Sequence, residues 1–567
     1  MANQRIFLWA LLALVLWFNY DAWQRDYAPK PTPAPAAESS EAPGAVPATA
    51  PPRSGLDEAP ALPSSDAAPS AAPEQRSPEP EPATASGDDV RVLTDVLDLR
   101  IGLQGGDLKR ADLLKYPKDK HNPQDLVRLF NDDPAHAFIF RSGLTSGTPG
   151  TQPDHLATFN SPAREYRLAD SADEVRVPLT WTDGRGLTVT KTYTFRRGQY
   201  TIALEYAIDN QSGQEWRAAP YVQFSRKQLV VKRSMFDVES YAFMGPAIYA
   251  PDGEKYRKLE LDDDEDVTFS EAIKNGWLAA MQHHFVAAAL PTPDLSYDYS
   301  LRVENGQYVL GAVGPALAFA PGARATVAET LFVGPKLQHQ LETLHPELDR
   351  TADYGMLYFL ANPLFTLLEW VHNLTGNWGW AIVLVTVLIK LVFYPLSEAS
   401  GRSMAKMRAL APRIKNIQER YKDDREQLGR QMMELYKREK INPLAGCLPI
   451  VVQIPVFLAF YWVLLESVEM RQAPFMLWID DLSSRDPFFV LPLLMGAAMF
   501  GQYKLNPAPP DPMQAKVFMF MPIIMTVMFA WFPAGLVLYW LTNTVLSIAQ
   551  QWRINRVVEA QAKKHAT

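Results

Sequence analysis

One stretch limits what this chain can become: Gly379 to Leu396, GWAIVLVTVLIKLVFYPL. It is written like a membrane-spanning helix, and it carries a lysine. Lys390 lies roughly 9 Å from the end of the stretch, at ~1.5 Å per residue. A charge at membrane depth costs at least ~2.5–3.5 kcal/mol, so something has to compensate it. A lysine stem can snorkel to the headgroups, which would make Lys390 a plain anchor. Alternatively the helix lines a polar groove and Lys390 faces it. Thr386, four residues earlier, falls on the same helical face. Both readings stand on this stretch alone.

The averages mislead about the rest. A net charge of −8 and a mean hydropathy of −0.14 describe an acidic soluble protein. In fact apolar runs gather at the N-terminus and after residue 355, and acidic, proline-rich sequence lies between. The single cysteine, Cys447, excludes an intramolecular disulfide and makes thiol chemistry a poor reading. Residues 1–23 hold an apolar run from Ile6 to Phe18 behind Arg5, with no small-x-small cleavage site after it. They predict an uncleaved anchor with a cytoplasmic N-terminus. Residues 24–88 are dominated by Pro, Ala, Ser and Glu and predict a disordered tether.

Residues 89–341 predict a large antiparallel β-sandwich. Tyr200, Ile202, Leu204, Tyr206 and Ile208 alternate as in a half-buried strand, and so do Val189, Tyr193 and Phe195. Tyr299–Val303 and Ala325–Val333 read as further strands, and Asp183-Gly184, Asp252-Gly253 and Asn305-Gly306 supply turns. No nucleophile elbow, phosphate loop or zinc motif is present. His283-His284, placed on a strand, would point to opposite faces and make a poor metal site. Asp262 to Asp266 lacks the spacing of a calcium loop and reads as a solvated loop.

Residues 354–373 predict an amphipathic helix lying in the outer interface, beside the aromatic belt of Trp370, Trp378 and Trp380; a buried core helix is the alternative. After the lysine-bearing span, 377–396, residues 397–442 carry twelve Lys/Arg against seven Asp/Glu. That excess places them in the cytoplasm. Met404, Met407, Leu410, Ile414 and Ile417 repeat at helical spacing, and Leu428, Met432 and Leu435 repeat after Asp423-Asp424. This predicts a helical hairpin, kinked at Pro412. Its Met404, Met407 and Met432 could offer a soft docking surface, although methionines at this spacing are more often core. Residues 443–552 hold four further apolar spans, and the basic tail 553–567 is again cytoplasmic. With the anchor, the topology has six spans, both ends inside and the 89–341 domain outside.

These spans carry Gln453, Thr526, Tyr539, Asn543, Ser547 and Gln550. Polar groups at that depth face a bundle interior or a wet cavity. Ordinary interhelical hydrogen bonding is the plainer account. Lys390 has no acidic partner in mid-span, which fits a wet groove better than a sealed ion relay.

At MAKMRALAPRIKNIQERY, NPLAGCLPIVVQIPVFLAFYWVL, SVEMRQAPFMLWIDDLSSRDPFFVLPLLMG and WFPAGLVLYWLTNT the sequence resembles the YidC family of bacterial inner-membrane insertases, over about 354–552. The anchor and large outer domain resemble its Gram-negative branch. The resemblance implies a five-helix core with a positively charged groove open to cytoplasm and lipid, and a periplasmic β-supersandwich similar in fold to sugar mutarotases. It implies an insertase and chaperone for inner-membrane proteins, not an enzyme, with no cofactor or metal and no reading of nucleic-acid sequence. Its partners would be nascent inner-membrane proteins and the bilayer, together with the Sec translocon and ribosome or targeting factors. Lys390 takes the place of the groove cation, usually arginine, and Thr386 that of a substrate-contacting threonine. Tyr539-Trp540 matches an aromatic pair whose second member is often tyrosine. Two rivals remain. A transporter would show paired intramembrane charges or inverted repeats, and neither is visible. An anchored periplasmic sugar enzyme would lose all function without residues 89–341.

Overall fold

The computed structural model describes Pro60 and residues 89–566, apart from 148–151, 229–241, 254, 422–423, 440–447 and 506–511. The expected anchor and most of the expected tether lie outside the described residues. The chain divides into two compact units. One contains Ala399–Cys447; the other contains Ser54–Glu398 and Leu448–Thr567.

The larger unit begins with two antiparallel-rich sheets. The central path of the eleven-stranded sheet runs Ser270–Lys274, Ser296–Glu304, Gln307–Val313, Trp216–Lys227, Phe138–Thr145, Leu108–Asp119, Leu97–Gly102, Asp89–Leu93 and Glu165–Arg167. The eight-stranded sheet runs Tyr256–Lys258, Pro246–Tyr249, Trp277–Met281, Phe285–Leu290, Arg324–Pro335, Thr201–Asn210, Leu187–Arg196 and Glu174–Thr182. Strand Thr201–Asn210 shows how local pattern sets register. Its Ile202, Leu204, Tyr206 and Ile208 are buried, while Ala203, Glu205 and Ala207 between them are exposed. A slip of one residue would exchange the two sets. Asn305 and Gly306, at φ 52° and 70°, close the hairpin between Ser296–Glu304 and Gln307–Val313 with left-handed turn residues. The acidic run is exposed from Asp262 to Glu265, as a solvated loop would be, but it is ordered as a turn and buries its last member. Asp263 caps a single helical turn, Asp264–Val267, and buried Asp266 pairs with Arg257.

After the last strand the chain enters helices. We label them α1 (Tyr358–Thr375), α2 (Trp378–Val392), α3 (Tyr394–Ala409), α4 (Ala411–Arg420), α5 (Arg425–Arg438), α6 (Leu448–Glu466), α7 (Val490–Leu505), α8 (Pro512–Phe529) and α9 (Ala534–Ala566). Helix α1 buries Ala361, Leu364, Phe365, Leu368 and Val371 in one core with α2 and α6. Its opposite side is apolar too, with Phe359, Trp370 and Leu374 exposed. Gly376, at φ 66°, ends α1, and Asn377 starts α2 by accepting the Trp380 N–H.

The structure sharpens three boundaries. The stretch Gly379–Leu396 is not one helix. Helix α2 ends at Val392, and α3 leaves at 61°. Pro395 lacks the N–H that would continue the ladder and opens the next helix instead. Pro412 interrupts the hairpin's first arm: α3 ends at Ala409, and Pro412 sits in the first turn of α4, where its missing N–H costs nothing. The last helix carries on past the apolar span to Ala566, since no Gly or Pro interrupts it, so span and basic tail share one helix. Among the described residues no single helix is long and apolar enough to cross a membrane; by length and composition only the bent pair Trp378–Val392 and Tyr394–Gly401 is.

In the smaller unit, Leu410 and Ile414 are buried against Met432, Leu435 and Tyr436, and Arg413 meets Glu439 at 2.8 Å. Met432 is thus half-buried in the seam between the hairpin's arms. The side chains of Met404 and Met407 lie outside those described.

Candidate groove across three helices

Helices α2, α6 and α9 are tied by polar groups, among them Lys390 in the last turn of α2. Lys390 Nζ on α2 donates to Ser547 Oγ on α9 at 2.9 Å. The Ser547 hydroxyl in turn donates a hydrogen bond to the Asn543 carbonyl, one turn back, at 2.7 Å. The Asn543 side-chain oxygen accepts from Gln453 Nε2 on α6 at 3.2 Å. All four side chains are half-buried, so the strip is neither sealed nor on the open surface. One turn beyond Ser547, Gln550 Nε2 is buried without a protein partner among the described residues. Among the described residues Lys390 makes no ion pair, and its one donor contact is to a neutral hydroxyl.

The helical repeat explains this gathering. Asn543, Ser547 and Gln550 lie four and three residues apart, one above another along one face of α9. Thr386 is on the Lys390 face of α2 but is buried, and its hydroxyl donates to the Ile382 carbonyl of its own helix.

Three expected members stand apart from the strip. Thr526 donates to the Pro522 carbonyl of α8 and packs against Gly496 of α7, where a Cβ would lie 2.0 Å from its hydroxyl oxygen. Tyr539 is 2 % exposed, stacked on Phe457 and edge-on to Phe460 of α6. Trp540 wedges between Phe457 and Phe529. The aromatic pair forms the apolar wall beside the strip, and Thr526 forms a helix–helix contact. Tyr539 shares a face with Asn543, but bulk took it into the core.

The loop between α6 and α7 ties down one end of the bundle. Asn377 Nδ2 donates to the Phe475 carbonyl at 2.9 Å, and the Gly535 N–H donates to the Leu482 carbonyl at 2.8 Å. Buried Asp486 starts α7, accepting from Leu491 N at 2.7 Å and from Trp478 Nε1 at 3.0 Å. The β domain rests on this end. Lys120 Nζ reaches the Asp480 carbonyl at 2.6 Å, and Arg471 reaches the Pro117 carbonyl at 2.8 Å.

His283 and His284 corrected the sequence reading. They occupy the turn between two strands, not a strand, so their rings stack 3.8 Å apart and face one way. They sit where the β domain meets α6. Periodicity could not place them, because a turn has none. Among the described residues no three His, Cys, Asp or Glu side chains gather as metal ligands would.

Two family models cover this architecture. The "YidC periplasmic domain" matches residues 89–367, and the "60Kd inner membrane protein" matches residues 370–562. A membrane protein insertase YidC from Thioalkalivibrio sulfidiphilus is 47% identical over 576 residues, spanning 100% of both chains. The chain belongs to the YidC family. A second relative of that name, from Nitrosococcus oceani, is 44% identical over 99% of this chain and 100% of its own. A solved active YidC insertase aligns with 82% of this chain and 92% of its own, at 19% identity and a TM-score of 0.36. A galactose mutarotase-like protein from Lactobacillus casei covers 43% of this chain and 99% of its own, at 11% identity and a TM-score of 0.28. At those scores neither bears on the reading below. The two YidC models abut at residues 367–370, inside α1, the helix that joins the β domain to the bundle.

Proposed function

We propose that this chain inserts membrane proteins by way of the Lys390–Ser547–Asn543–Gln453 strip. Insertion of membrane proteins is the function of its family, and its place is the bacterial inner membrane, with the β domain in the periplasm. Lys390, Gln453, Asn543 and Ser547 form the floor of a groove open to cytoplasm and lipid. Tyr539 and Trp540 hold its wall. The tied end, under the β domain, is the periplasmic end. Both termini and the α4–α5 hairpin are cytoplasmic, and the hairpin receives clients before they reach the groove. Sec translocon components, the ribosome and targeting factors are its expected partners.

One observation carries this reading: a lysine in an apolar helix satisfied by a single neutral hydroxyl on a half-buried polar strip. A polar client segment moving along such a strip exchanges water for fixed polar groups, while its apolar helix leaves sideways into lipid. Short helices help, since a bilayer thins to match them. Transfer of apolar surface, at roughly 25 cal/mol per Å², and the membrane potential supply the drive. No covalent chemistry is required.

The test is insertion of matched acidic and neutral clients by Lys390, Lys390→Arg, Lys390→Ala and Lys390→Glu chains at equal levels. Two charges 4 Å apart at an effective dielectric of about 20 interact by ~4 kcal/mol, and ~1.4 kcal/mol is tenfold in rate. The acidic client is expected to insert at least tenfold more slowly with Glu and several-fold more slowly with Ala, and at nearly the normal rate with Arg. Equal rates in all four would leave Lys390 a snorkelling anchor.

A further inference from the structure

Strand Trp216–Lys227 is buried at every position from Ala218 to Arg226, and the last of these buried residues is a guanidinium, 3% exposed. The register places Arg226 opposite Phe138 on one neighbouring strand and opposite Tyr308 on the other. Directly opposed side chains share a face of the sheet. The guanidinium carbon lies 4.9 Å from the centre of the Phe138 ring. Nη1 donates to the Met281 carbonyl, from the eight-stranded sheet, at 2.8 Å. Nη2 is buried with no hydrogen-bond partner among the described residues.

Among the described residues no carboxylate pairs with this charge. Burial holds the Tyr308 phenol above its ordinary range, against the pull of Arg226, so Tyr308 is a neutral neighbour and not a counter-ion. Taking an ion out of water is costly unless an opposite charge joins it. Arg226 lines a cavity of about 610 Å³, a size that suits a small molecule. The cavity wall carries five Lys or Arg against three Asp. Those acids are already engaged: Asp98 by Arg91, Asp112 by Arg110 and Arg128, and Asp125 by Lys118. Half-buried Lys227 reaches only a carbonyl, that of Asn305 at 3.3 Å. The surplus is cationic, and its buried member is Arg226. An arginine set between a ring and a carbonyl can be plain packing; packing does not account for a buried charge without a carboxylate beside a cavity of this size.

We infer that this cavity is a binding site for a small organic monocarboxylate, taken up on Arg226. The planar guanidinium matches the edge of a carboxylate. One buried monovalent cation calls for a monovalent anion; a phosphate dianion would bring a second charge into the same nearly dry place without a buried partner. Leu129 and Phe138, both buried, supply an apolar wall, and Asn131 and Gln282 supply amide donors and acceptors for the rest of the ligand. Lys227 adds a longer-range attraction that salt screens. Binding here belongs to the β domain and asks nothing of the groove.

The chemistry sets what discriminates. A primary amide of the same shape as the carboxylate brings no charge and leaves the guanidinium unpaired, so it binds more weakly. An arginine keeps its proton throughout the working range, and a carboxylic acid is ionised well above ~4. Binding is therefore level between about pH 6 and about pH 8, and fades only as the ligand takes up its own proton near ~4. Added salt weakens it several-fold at most, because a buried pair is screened less than an exposed one.

The experiment titrates the full chain, in detergent micelles, with lactate, N-acetylalanine and gluconate, each against its own primary amide, and with inorganic phosphate. Calorimetry reads the affinity. At least one carboxylate is expected to bind at least tenfold more tightly than its amide and than phosphate. Arg226→Met should abolish that preference, Arg226→Lys should keep part of it, and Lys227→Ala should weaken binding by a few-fold only. Should Arg226→Met fail to fold, the wild type still locates the site: hydrogen exchange over 138–142, 222–228 and 305–311 should slow with the carboxylate and not with the amide. No preference for any of the three carboxylates over its amide would return Arg226 to plain packing and overturn the inference. So would a preference that survives in folded Arg226→Met, exchange that slows elsewhere and not in these segments, or phosphate binding the more tightly.

Discussion

The molecule sets a lysine among apolar side chains in each of its two architectures and treats them oppositely. Lys191, in the β domain, is fully buried and donates to the carbonyls of Gly105 at 3.0 Å and Ser142 at 2.9 Å. Phe159, Tyr193 and Tyr206 surround its ammonium at 5.4–5.9 Å, and Asp107 and Glu329 supply opposing charge. Burial pushes Lys191 down to about 8, Asp107 up to about 7 and Glu329 up to about 8. Lys390, in the bundle, has one hydroxyl and, among the described residues, no acid. A lysine locked by several partners is architecture. A lysine with spare donors on a half-buried strip is available to something that passes.

The largest expected effect separates the two directly. Lys191→Met leaves Asp107 and Glu329 without their cation inside a closed sandwich. Breaking a buried charge cluster costs ~3–5 kcal/mol, less what the two acids recover by taking up protons. The melting temperature of the β domain should fall by several degrees or more, while insertion per folded molecule stays near normal. Lys390→Met should do the reverse, leaving thermal stability unchanged or raised and slowing acidic clients. Calorimetry and insertion assays on both variants check this crossing; matching profiles would erase the distinction.

A smaller effect is expected from deleting Gly401 to Lys440, which removes the hairpin. Its seam of Leu410, Ile414 and Met432 belongs to its own unit, so the bundle should melt as before. Client capture, measured by crosslinking to a stalled client, should drop several-fold. Capture at the normal rate would make the hairpin a plain loop.

Legibility in the sequence divides along the same line. Strands such as Thr201–Asn210 were readable because alternation is local and burial obeys it. Lys390, Asn543 and Ser547 were readable because helical spacing puts them on shared faces. Tyr539 and Thr526 were polar by type alone. A phenol ring stacked on Phe457 behaves as an apolar one, and a threonine bonded to its own helix is satisfied without a groove. The end of α2 depended on whether Pro395 would bend a helix or end it, which neighbours decide. The His283–His284 turn was unreadable for another reason: its partner is the Leu465 carbonyl of α6, 181 residues away from His284 in the sequence.

The smallest expected effect is also the one that tells glue from groove. Gln453 and Asn543 share one hydrogen bond, and interhelical bonds of this kind average ~0.6 kcal/mol, or about threefold. If the pair only fastens α6 to α9, Gln453→Leu and Asn543→Leu should each cost that much stability, and the double variant should cost no more than one. Insertion would then be indifferent to both. If the pair is part of a wet strip, each change removes a group that holds water, whether or not its partner remains. Insertion of polar-tailed clients should then fall by about twofold to threefold per substitution, and the two losses should multiply. A double-mutant cycle read once in thermal stability and once in insertion rate makes the choice. Coupling in stability with no insertion defect would return Gln453 and Asn543 to ordinary packing and leave Lys390 and Ser547 to carry the groove alone.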